Sequence, residues 1–95
     1  MAEFMTRVEL HGEQAGDYDK LHEQMEARGF KRTVSLGETT FRMPDATYLS
    51  TGSHTPEQVY AAAQAAAVAI GRKAGVFVAQ STSNLQMWAG GLIPV

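Results

Sequence analysis

Arg7, Glu9 and His11 alternate along the chain with Thr6, Val8 and Leu10. In an extended segment, residues two apart share a face, so the first three line one side and the others line the opposite side. Histidine titrates near neutrality and can carry a proton between groups. An arginine on the same face can stabilise a phosphorane-like transition state while the histidine moves that proton. Cleavage of RNA by its own 2′-hydroxyl needs little more. Lys31 or Arg32 would reach this face from a second strand. The plainer reading is that Arg7, Glu9 and His11 are the wet face of an amphipathic strand.

Other chemistries have little support. The chain has no cysteine, which removes disulfides, thiolate nucleophiles and zinc–sulfur sites. His11, His22 and His54 are not within metal-ligand spacing of one another, and no metal or calcium-loop motif occurs. No cofactor is expected, although one Mg²⁺ ion held weakly by Glu9 or Glu13 would leave little trace in a sequence. There is no Gly-x-Ser-x-Gly elbow, and Gly90-Gly91 leads into no helix.

The formal charge is −2, from ten acids and eight bases. A general nucleic-acid binder is usually clearly basic. The charge is uneven, however. Arg28, Lys31, Arg32 and Arg42 fall within fifteen residues and are opposed there only by Glu38. They form a candidate RNA-binding patch, or simply solvated strand ends.

Ninety-five residues make one domain, 1–95, with room for one modest core. No apolar run approaches the ~20 residues of a membrane span. No basic region followed by an apolar core opens the chain, so a cytoplasmic protein is expected. Met1-Ala2-Glu3-Phe4 precedes a second methionine, and Glu-Phe is what a common cloning site encodes. These four residues read as a cloning remnant, or as a true start whose Phe4 extends the first strand.

The elements that must position these residues follow from periodicity. Residues 6–11 alternate as a strand. Asp17 is placed to cap a helix over 17–28, with Tyr18, Leu21 and Met25 on one face and Gly29 as its left-handed stop. Residues 30–36 and 39–43 read as strands around a Gly37-Glu38 turn. Pro44 and Asp45 end or bulge the second of them, and Tyr48 and Leu49 continue it. Residues 50–54 read as a polar loop. Thr55-Pro56-Glu57-Gln58 is a capping box with proline at the first helical position. Val59, Ala63, Ala66 and Ile70 then form a stripe, Arg72 and Lys73 suit the helix end, and Gly75 is the expected stop. Seven of the nine residues over 61–69 are alanine, which favours a helix lying close on a sheet. The last strand covers 76–82, with Val76 and Val78 on one face and Phe77 and Ala79 on the other. The tail over 83–95 carries Leu85, Met87 and Trp88. Together with Phe77 these are expected to contact a partner or a second copy; a tail covering its own sheet edge is the other reading.

The order β-α-β-β-α-β is that of the ferredoxin-like α+β fold, a four-stranded antiparallel sheet with two helices on one face. The segments RVELHG, YDKLHEQMEARGF and FRMPDATYLSTG resemble those of the GhoS-type antitoxin family. Those are small ferredoxin-like endoribonucleases that cut a toxin's messenger RNA. They are similar in fold to CRISPR adaptation nucleases, which act as dimers. The resemblance spans about residues 6–88. It implies a homodimer, single-stranded RNA as target, and RNA contacts at Arg28 and Arg32. His11 stands where the family has an aspartate closing its first strand, which puts the family's chemistry at that position in question. The alternative function is a non-enzymatic module, phage- or plasmid-borne, that binds another protein. Net acidity, the missing aspartate and the apolar tail point that way.

Overall fold

The computed structural model describes residues 2–81. Their order is β1 (Ala2–His11), α1 (Asp17–Ala27), β2 (Thr33–Leu36), β3 (Thr39–Arg42), β4 (Thr47–Gly52), α2 (Pro56–Ala69) and β5 (Lys73–Ser81). The tail residues Leu85, Met87 and Trp88 lie outside the described residues. Among the described residues, no helix is long and apolar enough to cross a membrane.

β1 is the middle of a three-stranded antiparallel sheet of order β4-β1-β5. Its register runs from Ala2↔Gly52 to Arg7↔Thr47 on one side and from Glu3↔Ser81 to His11↔Lys73 on the other. The alternation read from residues 6–11 holds, and the strand extends back to Ala2. Phe4 is fully buried in the core. Phe4 lies within β1 and so forms part of the fold.

The chain is α+β, but it does not form the single four-stranded sheet expected. β2 and β3 make their own two-stranded sheet around Gly37, whose φ of 65° takes the left-handed place in the turn. The segment before β2 touches the main sheet at one bridge, where Lys31 and Leu49 exchange backbone hydrogen bonds of 2.7 and 2.8 Å. Tyr48 and Leu49 do not continue β3. Pro44 accepts the Thr47 N–H across a tight turn, Ala46 adopts φ 60°, and a separate strand starts at Thr47. Ser50, Thr51 and Gly52, expected in a loop, are the end of that strand.

Two helix ends also differ from expectation. Gly16, in the left-handed region, precedes α1, and Asp17 is its first residue and not its cap. α2 stops at Ala69, with Gly71 at φ 76° as the breaker; Gly75 lies inside β5. The capping box at Thr55 forms in both directions, Thr55 Oγ1 accepting from Gln58 N and Gln58 Oε1 accepting from Thr55 N. Gly29, at φ 87°, follows α1 as read.

Both helices contribute to one core. Phe4, Val8 and Leu10 from β1 meet Leu21 and Met25 from α1, Tyr48 from β4, and Val59, Ala63, Ala66 and Ala67 from α2. Val76 and Val78 pack against the same cluster. Burying one such large side chain contributes about 1.5–3 kcal/mol, against about 0.5–1.5 kcal/mol net for a neutral hydrogen bond. Apolar burial therefore holds the helices on the sheet, and the polar contacts fix their position. On the opposite sheet face, Arg7, Glu9 and His11 are exposed among the described residues.

Candidate functional site

The pairing of β1 with β5 assembles the open face row by row. Arg7 stands opposite Phe77, Glu9 opposite Gly75 and His11 opposite Lys73. Side chains paired across two strands are about 5 Å apart, whereas Arg7 and His11, four residues apart on one strand, are separated by about 13 Å along the backbone. The cation closest to His11 in register is therefore Lys73 and not Arg7. Sequence spacing could not show this, because Lys73 read as a residue at a helix end.

His11 Nε2 lies 3.6 Å from Glu9 Oε1, and both side chains are exposed. The contact is an ion pair only when His11 is protonated. At this exposure it is worth about 0–1 kcal/mol. The imidazole also leans over Gly75, where an added Cβ would sit 3.7 Å from Nε2. With no side chain at position 75, a shallow depression of about 420 Å³ opens among Arg7, Glu9, Gly75 and Phe77. Among the described residues Phe77 is the aromatic of this face, and 64% of it is exposed.

The four bases of the expected patch have different neighbours. Arg28 follows α1, its Nη1 donating to the Gln24 carbonyl at 3.0 Å and to Gln24 Oε1 at 2.7 Å. Lys31 bridges Leu49, which sits beside Met5 in the main sheet. Arg32 reaches Asp45 at 3.7 Å. Arg42 is exposed on β3, opposite Thr33. Lys31 and Arg32 line one shallow depression beside Glu26; Arg28 and Arg42 are not among its walls.

Two polar contacts lay beyond sequence reasoning, since their partners are far apart in the chain. His22 Nδ1 and Tyr48 Oη form a buried hydrogen bond of 2.6 Å. Burial, and then the nearby Arg32 guanidinium, push His22 below the ordinary histidine value; burial pushes the Tyr48 phenol up. The pair is thus neutral. Asp17 Oδ2 accepts from Gln14 N at 2.8 Å and from Arg72 Nε at 2.7 Å. The Gln14 N–H and then Arg72 hold the Asp17 carboxyl below its usual value. Arg72 therefore ties the end of α2 to the start of α1. Both contacts position elements and face away from the open sheet.

Among the described residues, no three histidine or acidic side chains come together as metal ligands. The open face can offer a proton carrier at His11, cations at Arg7 and Lys73, and one aromatic plane at Phe77. Compared with known proteins, the chain matches no family model, no curated protein and no solved structure.

Proposed function

We propose that the open face of the three-stranded sheet binds single-stranded RNA, in a GhoS-like protein that acts as a homodimer. The observation that carries this reading is Phe77, exposed beside Arg7 on the uncovered side of the sheet. Base stacking on an aromatic plane, with a cation for the backbone phosphate, is how sheet faces hold unpaired nucleotides. The resemblance to GhoS-type antitoxins supports the same target.

A cleavage step fits the lower rows of the face. His11 takes the 2′-hydroxyl proton, the 2′-oxygen bonds to phosphorus, and the bond to the 5′-oxygen breaks. Lys73 steadies the equatorial charge, Glu9 orients the imidazole, and solvent protonates the departing oxygen. The products are a 2′,3′-cyclic phosphate and a 5′-hydroxyl end. Arg7 and Phe77 hold the neighbouring nucleotide.

Short single-stranded RNAs titrated across a salt series test the binding. Affinity should fall as salt rises. Phe77→Ala should remove about 1–3 kcal/mol, the worth of one stacked base. His11→Ala should abolish cleavage while sparing most of the binding. Salt-independent or absent binding removes the RNA reading, and cleavage that survives His11→Ala removes the mechanism.

A second reading is favoured by α2. Between Glu57 and Arg72 the chain has no charged residue, and Tyr60 and Val68 are exposed on the helix. An uncharged outer helix face suits a protein partner or a second copy. Val68→Glu should then lower the mass in solution or abolish capture of a partner. An unchanged mass and an unchanged interaction profile count against this alternative.

A further inference from the structure

We propose a second binding site, for a phosphate group, in the cleft where the end of α1 meets the start of α2. It does not rest on the RNA reading, since its walls are Phe30 and Val59 from the helix-covered core and not the open face. The cleft encloses about 200 Å³. Its polar lining is Arg28, Ser50, Thr51, His54 and Gln58. None of its nine lining residues is acidic, although the chain has more acids than bases.

Two of these side chains have donors left for a ligand. Arg28 is steadied through Nη1 by Gln24, leaving the other N–H groups of its fork available. An arginine fork matches two oxygens of one phosphate. Gln58 spends Oε1 on Thr55 N, which leaves its amide nitrogen to donate.

The site is also shaped in advance. The His54 ring lies against Gly52, where a Cβ would fall 2.8 Å from both Cδ2 and Nε2. Gly52 has φ 153° as well, so the ring position requires glycine there. The capping box occupies Thr55 N and Gln58 N, and Pro56 has no N–H. The donors to a ligand are thus side chains and not the helix end. Phe30 and Val59 give an apolar wall, beside which charge-assisted hydrogen bonds are stronger than in water.

Arg28, His54 and Gln58 can all donate, and the ligand chemistry they share is a phosphate oxyanion. Two sources offer it: free inorganic phosphate, or the terminal phosphate of a nucleotide. Amide shifts of the isotope-labelled chain, followed at constant ionic strength, separate them. One arm uses inorganic phosphate, one a nucleoside 5′-monophosphate, and one the unphosphorylated nucleoside. We expect saturable shifts at Arg28, Ser50, Thr51 and His54 in the phosphate-bearing arms, and none from the nucleoside alone. Tighter binding of the monophosphate identifies a nucleotide end, and tighter or equal binding of phosphate identifies the free ion. Arg28→Gln should weaken binding at least tenfold. His54→Ala should weaken it too. A dispersed spectrum verifies that each variant is folded. The site is disproved by linear, unsaturable shifts, by shifts centred on Arg7 and Lys73, or by full affinity in a folded Arg28→Gln or His54→Ala variant.

Discussion

The two helices cover the same core by opposite means. α1 inserts large side chains, Leu21 and Met25, and is located by long-range polar contacts. Tyr18 Oη accepts from Leu10 N, His22 meets Tyr48, and Asp17 meets Arg72. Its outer face is charged, with Asp19, Lys20, Glu23 and Glu26 exposed. α2 buries Ala63, Ala66 and Ala67 beside a single larger residue, Val59, and exposes no charge along three turns. A helix that relies on bulk tolerates distance from the sheet, because its side chains span the gap. A helix that relies on alanine must lie close, and its stability comes from propensity, capping and near contact. α1 should therefore fail when atoms are removed, and α2 when atoms are added.

The largest effect should come from Leu21→Ala, a fully buried truncation that leaves a cavity under α1. We expect a loss of about 2–5 kcal/mol in urea unfolding. Ala66→Leu asks the opposite of α2: the added atoms have no space between helix and sheet, and about 1–3 kcal/mol should be lost through overpacking. If Ala66→Leu proves neutral, the close approach of α2 is wrong. Tyr48→Phe keeps the ring but strands the buried His22 Nδ1, at about 1–3 kcal/mol by the same measurement. Thr55→Ala opens one half of the capping box and should remove about 1 kcal/mol.

The smallest effect is a slope with pH. Folded His22 binds its proton less readily than the unfolded chain does. The unfolded state therefore gains the proton first, and stability declines as pH falls through the ordinary histidine value of 6.5. The loss continues until the folded group titrates as well. Urea midpoints collected on either side of that value should show the decline, and His22→Gln should flatten it. An equal slope in the variant would assign the decline to other groups and strip α1 of its acid-sensitive contact.

The sequence showed most where a pattern is local. The alternation of β1, the capping box of α2 and the glycine after α1 each lie within a few residues, and each formed. The stop of α2 was misplaced because Gly71 and Gly75 are equally competent breakers by type. Only packing decides between them, and Val76 and Val78 draw the chain into β5 from Lys73 onward. β4 was hidden by the Pro44–Ala46 turn, whose left-handed residue is an alanine and so gave no glycine signal. The acidic and basic residues of the open face were visible as a row on β1. Their partners were not, because Lys73 and Gly75 reach that row only through a ladder between distant segments. Nothing near His22 in the chain marks its partner, and only the fold brings Tyr48 to it.

β1 is paired on both sides, and one of those partners arrives late in translation. His11↔Lys73 joins positions 62 apart and Glu3↔Ser81 joins positions 78 apart. On the ribosome, at about 5–20 residues per second, the first strand waits several seconds for the last. During that interval one whole edge of the central strand lacks its ladder, and Val8 and Leu10 lack the cover of Val76 and Val78. Such distant pairing also slows folding after release, because the loop must close before any contact rewards it. A nascent chain stalled before Lys73 should accordingly be a client for chaperones that capture unpaired strands.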